Sequence, residues 1–90
     1  MKAIWKIQPY DNSSILLPIG AVFLSVQTQN DRISIWYLVD PEAALELKKF
    51  RFVATGSPCN IPITNFIGTV QLYNGSLVYH VFDITNPDNF

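Results

Sequence analysis

Two stretches of alternating apolar and polar residues dominate the chain, and each folds back on itself about a short turn. In residues 66–83, Asn74-Gly75 separates two apolar-rich runs, the strongest short-range signal for a two-residue β-hairpin. That turn sets Leu72 opposite Leu77, Val70 opposite Tyr79 and Thr69 opposite His80. Side chains alternate between faces of a strand. One face therefore carries Phe66, Gly68, Val70, Leu72, Leu77, Tyr79 and Val81, and the other carries Ile67, Thr69, Gln71, Val78, His80 and Phe82. The first is a core face. The second is mixed and partly apolar as well.

Residues 22–39 repeat the arrangement about Asn30-Asp31, a weaker hairpin turn. The pattern predicts Thr28 opposite Ile33, Val26 opposite Ile35, Leu24 opposite Tyr37 and Val22 opposite Val39. A slip of one residue exchanges the two faces, so the pattern itself pins the pairing. Upstream, Ala3, Trp5 and Ile7 share one face of a first strand, and Ile15-Leu16-Leu17 forms a short second one before Pro18 and Gly20. Asp40-Pro41-Glu42 reads as a helix start with a cap, a first-turn proline and a favourable charge, giving one or two helical turns over 40–47. Strand pattern resumes at Lys49–Thr55, followed by a Gly/Pro-punctuated loop from Gly56 to Pro62. The expectation is an all-β domain over residues 1–84 with a tail at 85–90, where Phe90 is placed to dock. Its form is a small antiparallel sandwich or partly open barrel of about seven strands with one short helical turn.

Composition adds one constraint. The chain is 49% hydrophobic and 14% charged, against about 25% charged in typical globular chains. A ninety-residue domain with so few charges is expected to cover apolar surface with a second copy of itself, as a homo-oligomer. A net charge of -1 supplies no field for duplex nucleic acid. No apolar run follows Met1–Lys6, so neither a secretion signal nor a membrane partner is expected.

Chemistry is sparse. His80 is the sole histidine and Cys59 the sole cysteine, so no disulfide, no metal-ligand spacing and no cofactor motif is available. A general base needs a carboxylate or nucleophile in reach, and Asp83 falls on the face opposite His80. His80 reads as a strand histidine bonded to a neighbour, with ligand contact as the alternative. No catalytic residue is assigned. The candidate ligand-binding residues are Trp36 or Trp5 to stack a base, Arg51 with Lys49 to meet an anion, Ser57 in a loop closing over the site, and His80. Each has a plainer reading: the tryptophans as core or interface, Lys49 and Arg51 as protection of a strand edge.

The ordered set Lys2–Lys6, Leu17–Ala21, Val26–Asn30, Ile35–Pro41, Phe52–Gly56 and Phe66–Leu72 through Val78–Phe82 resembles a family of short bacteriophage-encoded proteins without an established function. Two departures stand out: Asn30-Asp31 where Asn-Gly is usual, and Ser57-Pro58-Cys59 where a His-Pro is common. A role tied to that histidine does not carry over. The resemblance implies a phage origin and action in the host cytoplasm. Phage proteins of this size include counter-defence factors, some of which capture nucleotide-derived immune signals. The leading expectation is therefore a non-enzymatic homo-oligomer that sequesters a small nucleotide-type ligand. The alternative is a protein-binding module, either an inhibitor of a host protein or a minor virion component.

Overall fold

Seven antiparallel strands build two sheets in the computed structural model, which describes residues 1–85. The strands are β1 (Ala3–Ile7), β2 (Ser14–Pro18), β3 (Val22–Gln29), β4 (Arg32–Val39), β5 (Leu45–Ala54), β6 (Phe66–Leu72) and β7 (Leu77–Asp83). One sheet has the order β1-β4-β3 and the other β2-β5-β7-β6. The result is the sandwich-like all-β fold that the alternation predicts. The proposed docking of Phe90 lies outside the described residues.

The Asn30-Asp31 turn forms as read, while the second turn widens to residues 73–76 because Tyr73, with φ of 52°, is left-handed as well and the ladder ends at Leu72–Leu77. Asn30 and Asp31 have φ of 52° and 56°, and Asn74 and Gly75 have φ of 57° and 86°, the left-handed pair that a tight hairpin requires. The registers hold near each turn and then shift at a bulge. In β3, Phe23 rather than Leu24 pairs with Tyr37, and Val22 pairs with Leu38. In β6, Phe66 pairs with Phe82 and Gly68 with Val81. Each bulge inserts one residue and so exchanges the faces beyond it. Phe23 turns inward, its ring 6.0 Å from Tyr37 and edge-on to it, while Leu24 is exposed. Ile67 packs on the core, and Phe66 moves to the outer face against Phe82, ring centroids 5.5 Å apart.

The helical segment expected over 40–47 does not form. Asp40 caps a single turn, accepting from Glu42 N at 3.0 Å through its side chain and from Ala43 N at 3.1 Å through its carbonyl. From Leu45 the chain joins β5, because β2 offers a ladder in which Leu16 pairs with Leu47 and Leu17 with Glu46. A ladder satisfies more backbone than two isolated helical turns can. The short helical turn lies instead at Ile63–Asn65, a 3-10 turn leading into β6.

Between the sheets lie Ile7, Leu17, Ile33, Ile35, Tyr37, Val39, Phe50, Val70, Leu72 and Val81. The edge strands β3 and β6 belong to different sheets but close one side of the sandwich. Thr28 Oγ1 donates to the Gln71 carbonyl at 2.6 Å. A β-carbon on Gly68 would come within 2.3 Å of Val26 Cγ1, so only glycine permits this approach. A second, smaller cluster of Val53, Phe82 and Ile84 with Ile61 covers part of the outer face of the four-stranded sheet. It accounts for Phe82 on the mixed face of the final hairpin.

Candidate functional site

The residues that the sequence nominates divide among three surfaces. Trp5 pairs in register with Tyr37 and packs on the core, as its face of β1 predicts. Trp36 is the next residue of β4, so it faces outward, half-buried, between Lys6 and Ser25. Lys49 and Arg51 lie on the outer face of the other sheet, where Val53 follows them. Within the chain, therefore, neither tryptophan stands beside the two basic residues. His80 holds a neighbour with each ring nitrogen, Thr55 Oγ1 at 2.7 Å on Nε2 and Thr69 Oγ1 at 2.9 Å on Nδ1. This is the bonded strand histidine of the plainer reading.

Arg51 does meet the loop expected to cover it. The two enclose a groove of about 320 Å³ with Pro58, Cys59, Asn60 and Ile61 on one wall and Val53 and Ile84 as an apolar floor. Ser57 is exposed outside it, held through its backbone N–H by the Ala54 carbonyl at 3.0 Å. The Arg51 guanidinium is engaged by Asp11, Nε to Oδ1 at 3.3 Å, and the same oxygen accepts from Phe52 N at 2.8 Å. Asp11 thereby caps the open edge of β5 beyond the end of β2.

On its other side, Asp11 belongs to a cleft at the turn-bearing end of the sandwich. This cleft, about 290 Å³, is walled by Tyr10, Phe52, Tyr73 and Tyr79, with Arg32 among them. The Arg32 guanidinium carbon lies 4.3 Å above the Tyr10 ring, and its NH2 group donates to the Gln8 carbonyl. Phe52 and Tyr79 lean together with ring centroids 6.0 Å apart. Asp31 fixes the facing turn by accepting from Tyr73 N at 3.2 Å. The hairpin registers place Tyr79 on the inner face, but nothing in the sequence brings Tyr10 and Arg32 to it. Tyr10 arrives through the 8–13 loop, where it and Ser13 share three hydrogen bonds of 2.6–3.1 Å, and that loop's Gln8 and Tyr10 hold Arg32. Aromatic rings beside a guanidinium are side chains on which a planar ring can stack.

The opposite end of the sandwich is charged. Lys48 Nζ lies 3.4 Å from Asp83 Oδ2 and 5.8 Å from the centre of the buried Tyr37 ring. Burial, and then the Asp83 charge, pushes the Tyr37 hydroxyl well above the usual tyrosine range. The protonated form is thus favoured by the fold. Above a pH of about 10 the unfolded chain releases a proton that the native state keeps, so stability falls as pH rises, by up to about 1.4 kcal/mol per unit. Thermal midpoints followed from neutral into alkaline solution check this: Tyr37→Phe is expected to flatten the decline, and an unchanged slope refutes it. Among the described residues no group of three or more His, Cys, Asp or Glu side chains could hold a metal ion, and no helix is long and apolar enough to cross a membrane.

Over residues 1–89 the chain matches the family model described as Domain of unknown function (DUF7352), and it belongs to that family. No curated protein and no solved structure gives a significant match.

Proposed function

We propose that this protein is a non-enzymatic phage accessory factor that captures a small nucleotide-derived signal in the host cytoplasm, with the tyrosine-walled cleft as its ring-binding site. The observation that carries this reading is the convergence of four aromatic rings and Arg32 on one concavity. Its volume, about 290 Å³, is just below the roughly 300–1,000 Å³ typical of ligand pockets. It therefore suits one base or nucleoside, with further groups directed outward. Arg51, across Asp11 from the cleft, would be a second cation for a phosphate. The phage origin and the counter-defence role rest on the ordered motifs of residues 2–83.

Calorimetric titration with mononucleotides, cyclic nucleotides and ADP-ribose derivatives tests the reading. Tyr73 is 58% exposed, so Tyr73→Ala should leave the fold intact. It is expected to weaken binding by about 1–3 kcal/mol, the usual contribution of one stacked base. A panel without heat, or an affinity unmoved by Tyr73→Ala and Arg32→Gln together, would refute it.

One observation favours the protein-binding alternative, and with it the homo-oligomer. On the outer face of the three-stranded sheet Ile4 and Val22 both flank Leu38 in register, and they are 63% and 51% exposed. An apolar row three strands wide is a surface that another chain covers. Sedimentation of the full chain should give a dimer or larger species. If it runs as a monomer at high concentration while a host or virion protein co-purifies stoichiometrically, the protein-binding reading replaces the first.

A further inference from the structure

The two sheets present β1, β3, β2 and β6 as edge strands, and three of these are guarded against pairing with another chain. β3 and β6 are each interrupted by a bulge and close on each other through the Thr28 to Gln71 hydrogen bond. β1 carries Lys6, with Lys2 just before it. β2, Ser14-Ile15-Leu16-Leu17-Pro18, has no charged residue, and its ladder with β5 runs without a register shift. Its only guard is the proline at its far end.

The ladder also fixes which backbone groups of β2 are unused. Phe50 N–H donates to the Ser13 carbonyl, and Ile19 N–H donates to the Ala44 carbonyl. Bonding positions alternate along an antiparallel pair, so residues 13, 15, 17 and 19 turn their groups toward β5. Ser14, Leu16 and Pro18 turn theirs the other way, where β2 has no strand partner among the described residues. Pro18 has no N–H to leave unpaired there, and its carbonyl already holds Ala21 N at 3.2 Å. Ser14 and Leu16 are exposed, so their N–H and C=O groups are open to another strand.

The side chains select the strand that fits. Leu16 is 53% exposed and pairs with Leu47, 60% exposed, while Leu45 follows on the same face of β5. A second copy of β2, antiparallel about a two-fold axis through Leu16, sets Leu16 against Leu16 and Ser14 against Pro18. Leu16 then exchanges both backbone bonds with its copy. Leu47, Leu16 and their two counterparts form one unbroken apolar row across four strands. The rows on either side end in Lys49 of one copy and Leu45 of the other, so no like charges face each other across the axis. An uncharged strand whose central residue bonds outward is its own complement.

We propose that β2 is a self-association edge: two copies of the chain pair antiparallel along Ser14–Pro18 and join their four-stranded sheets into one sheet of eight. The contact is on the opposite sheet from the row of Ile4, Leu38 and Val22, and it uses none of the residues that wall the tyrosine-lined cleft. It therefore goes beyond the ligand reading and does not depend on it. One short strand and one leucine row make a smaller contact than the roughly 1,200–2,000 Å² of stable interfaces, so the dimer is expected to be reversible.

The test is sedimentation equilibrium of the full chain from micromolar to millimolar concentration, with amide hydrogen exchange measured at both ends of that range. A monomer–dimer equilibrium is expected. The Leu16 amide should exchange about tenfold more slowly where the dimer predominates, while the Ile15 and Leu17 amides, already turned toward β5, change little. Leu16→Lys puts two ammonium groups on the axis and should keep the chain monomeric throughout, with the thermal midpoint of the dilute parent. Val22→Lys, on the outer face of the other sheet, should leave the dimer intact. The proposal is overturned by a monomer at millimolar concentration, by a dimer whose Leu16 amide exchanges as in the monomer, or by a dimer that survives Leu16→Lys. If Val22→Lys dissolves the oligomer instead, the apolar row of the three-stranded sheet holds the copies together, and the homo-oligomer stands without this edge. The exchange measurement needs no variant, so it decides the matter even where Leu16→Lys fails to fold.

Discussion

Replacing Phe50 by alanine is expected to remove about 3–5 kcal/mol of folding stability, the usual loss for a fully buried aromatic ring. For ninety residues the whole stability is roughly 5–13 kcal/mol, so the variant should be largely unfolded under mild denaturing conditions. Phe50 is 0% exposed and sits where β5 passes from one partner to the next. Before it, Lys49 pairs with Ser14 of β2, and Phe50 itself pairs with Asp83 of β7. Its N–H donates to the Ser13 carbonyl at 3.2 Å, and its carbonyl accepts from Asn12 N at 2.8 Å. The ring therefore anchors the point at which the loop leading to β2 is tied to the four-stranded sheet. Urea unfolding followed by tryptophan fluorescence measures the loss, and a decrease below about 1 kcal/mol would show that the cavity collapses without penalty. Phe50→Leu, which keeps most of the volume, should cost much less.

The sequence reveals most where one face of a strand is apolar and the other is not. Near the two turns that contrast is clear, and the pairs Thr28–Ile33, Val26–Ile35, Val70–Tyr79 and Leu72–Leu77 form as read. It fails at Phe23-Leu24 and Phe66-Ile67, where adjacent large apolar residues suit either face. The alternation there cannot report an inserted residue, and packing against Tyr37 and Phe82 decides which ring turns in. A similar ambiguity hides the start of β5. Leu45-Glu46-Leu47 has strand alternation, but Asp40-Pro41-Glu42 immediately before it carries the signals of a helix, and only the β2 ladder resolves the conflict.

The same reasoning explains the candidate sites. Trp36 and Arg51 are conspicuous as residue types, yet alternation along one strand cannot say which sheet another strand joins, and they end on different sheets. The tyrosine-walled cleft draws on β4, β5, β6, β7, both hairpin turns and the 8–13 loop, and loop paths leave no periodic trace. The Tyr37 hydroxyl leaves even less: that it is buried without a partner among the described residues is something only coordinates can reveal.

Gly68→Ala should separate the two sheets at their closed side. The added β-carbon would stand 2.3 Å from Val26 Cγ1, far inside van der Waals contact, and valine has little rotamer freedom with which to retreat. Overpacking of this kind typically costs about 1–3 kcal/mol. Here the relief available is a shift of β6 away from β3, which also stretches the Thr28 to Gln71 hydrogen bond. Amide exchange should accelerate in β3 and β6 and remain near its parent rate in β5, whose partners are β2 and β7. The companion variant Val26→Ala removes the clashing methyl, so the double variant should be more stable than the sum of the two single losses predicts, by about 0.5–3 kcal/mol. Strict additivity in urea unfolding would mean that Gly68 serves its own strand and not the approach of the sheets. A positive coupling would establish that one missing side chain on β6 fixes how the two hairpins, and hence the walls of the tyrosine-lined cleft between them, are set against each other.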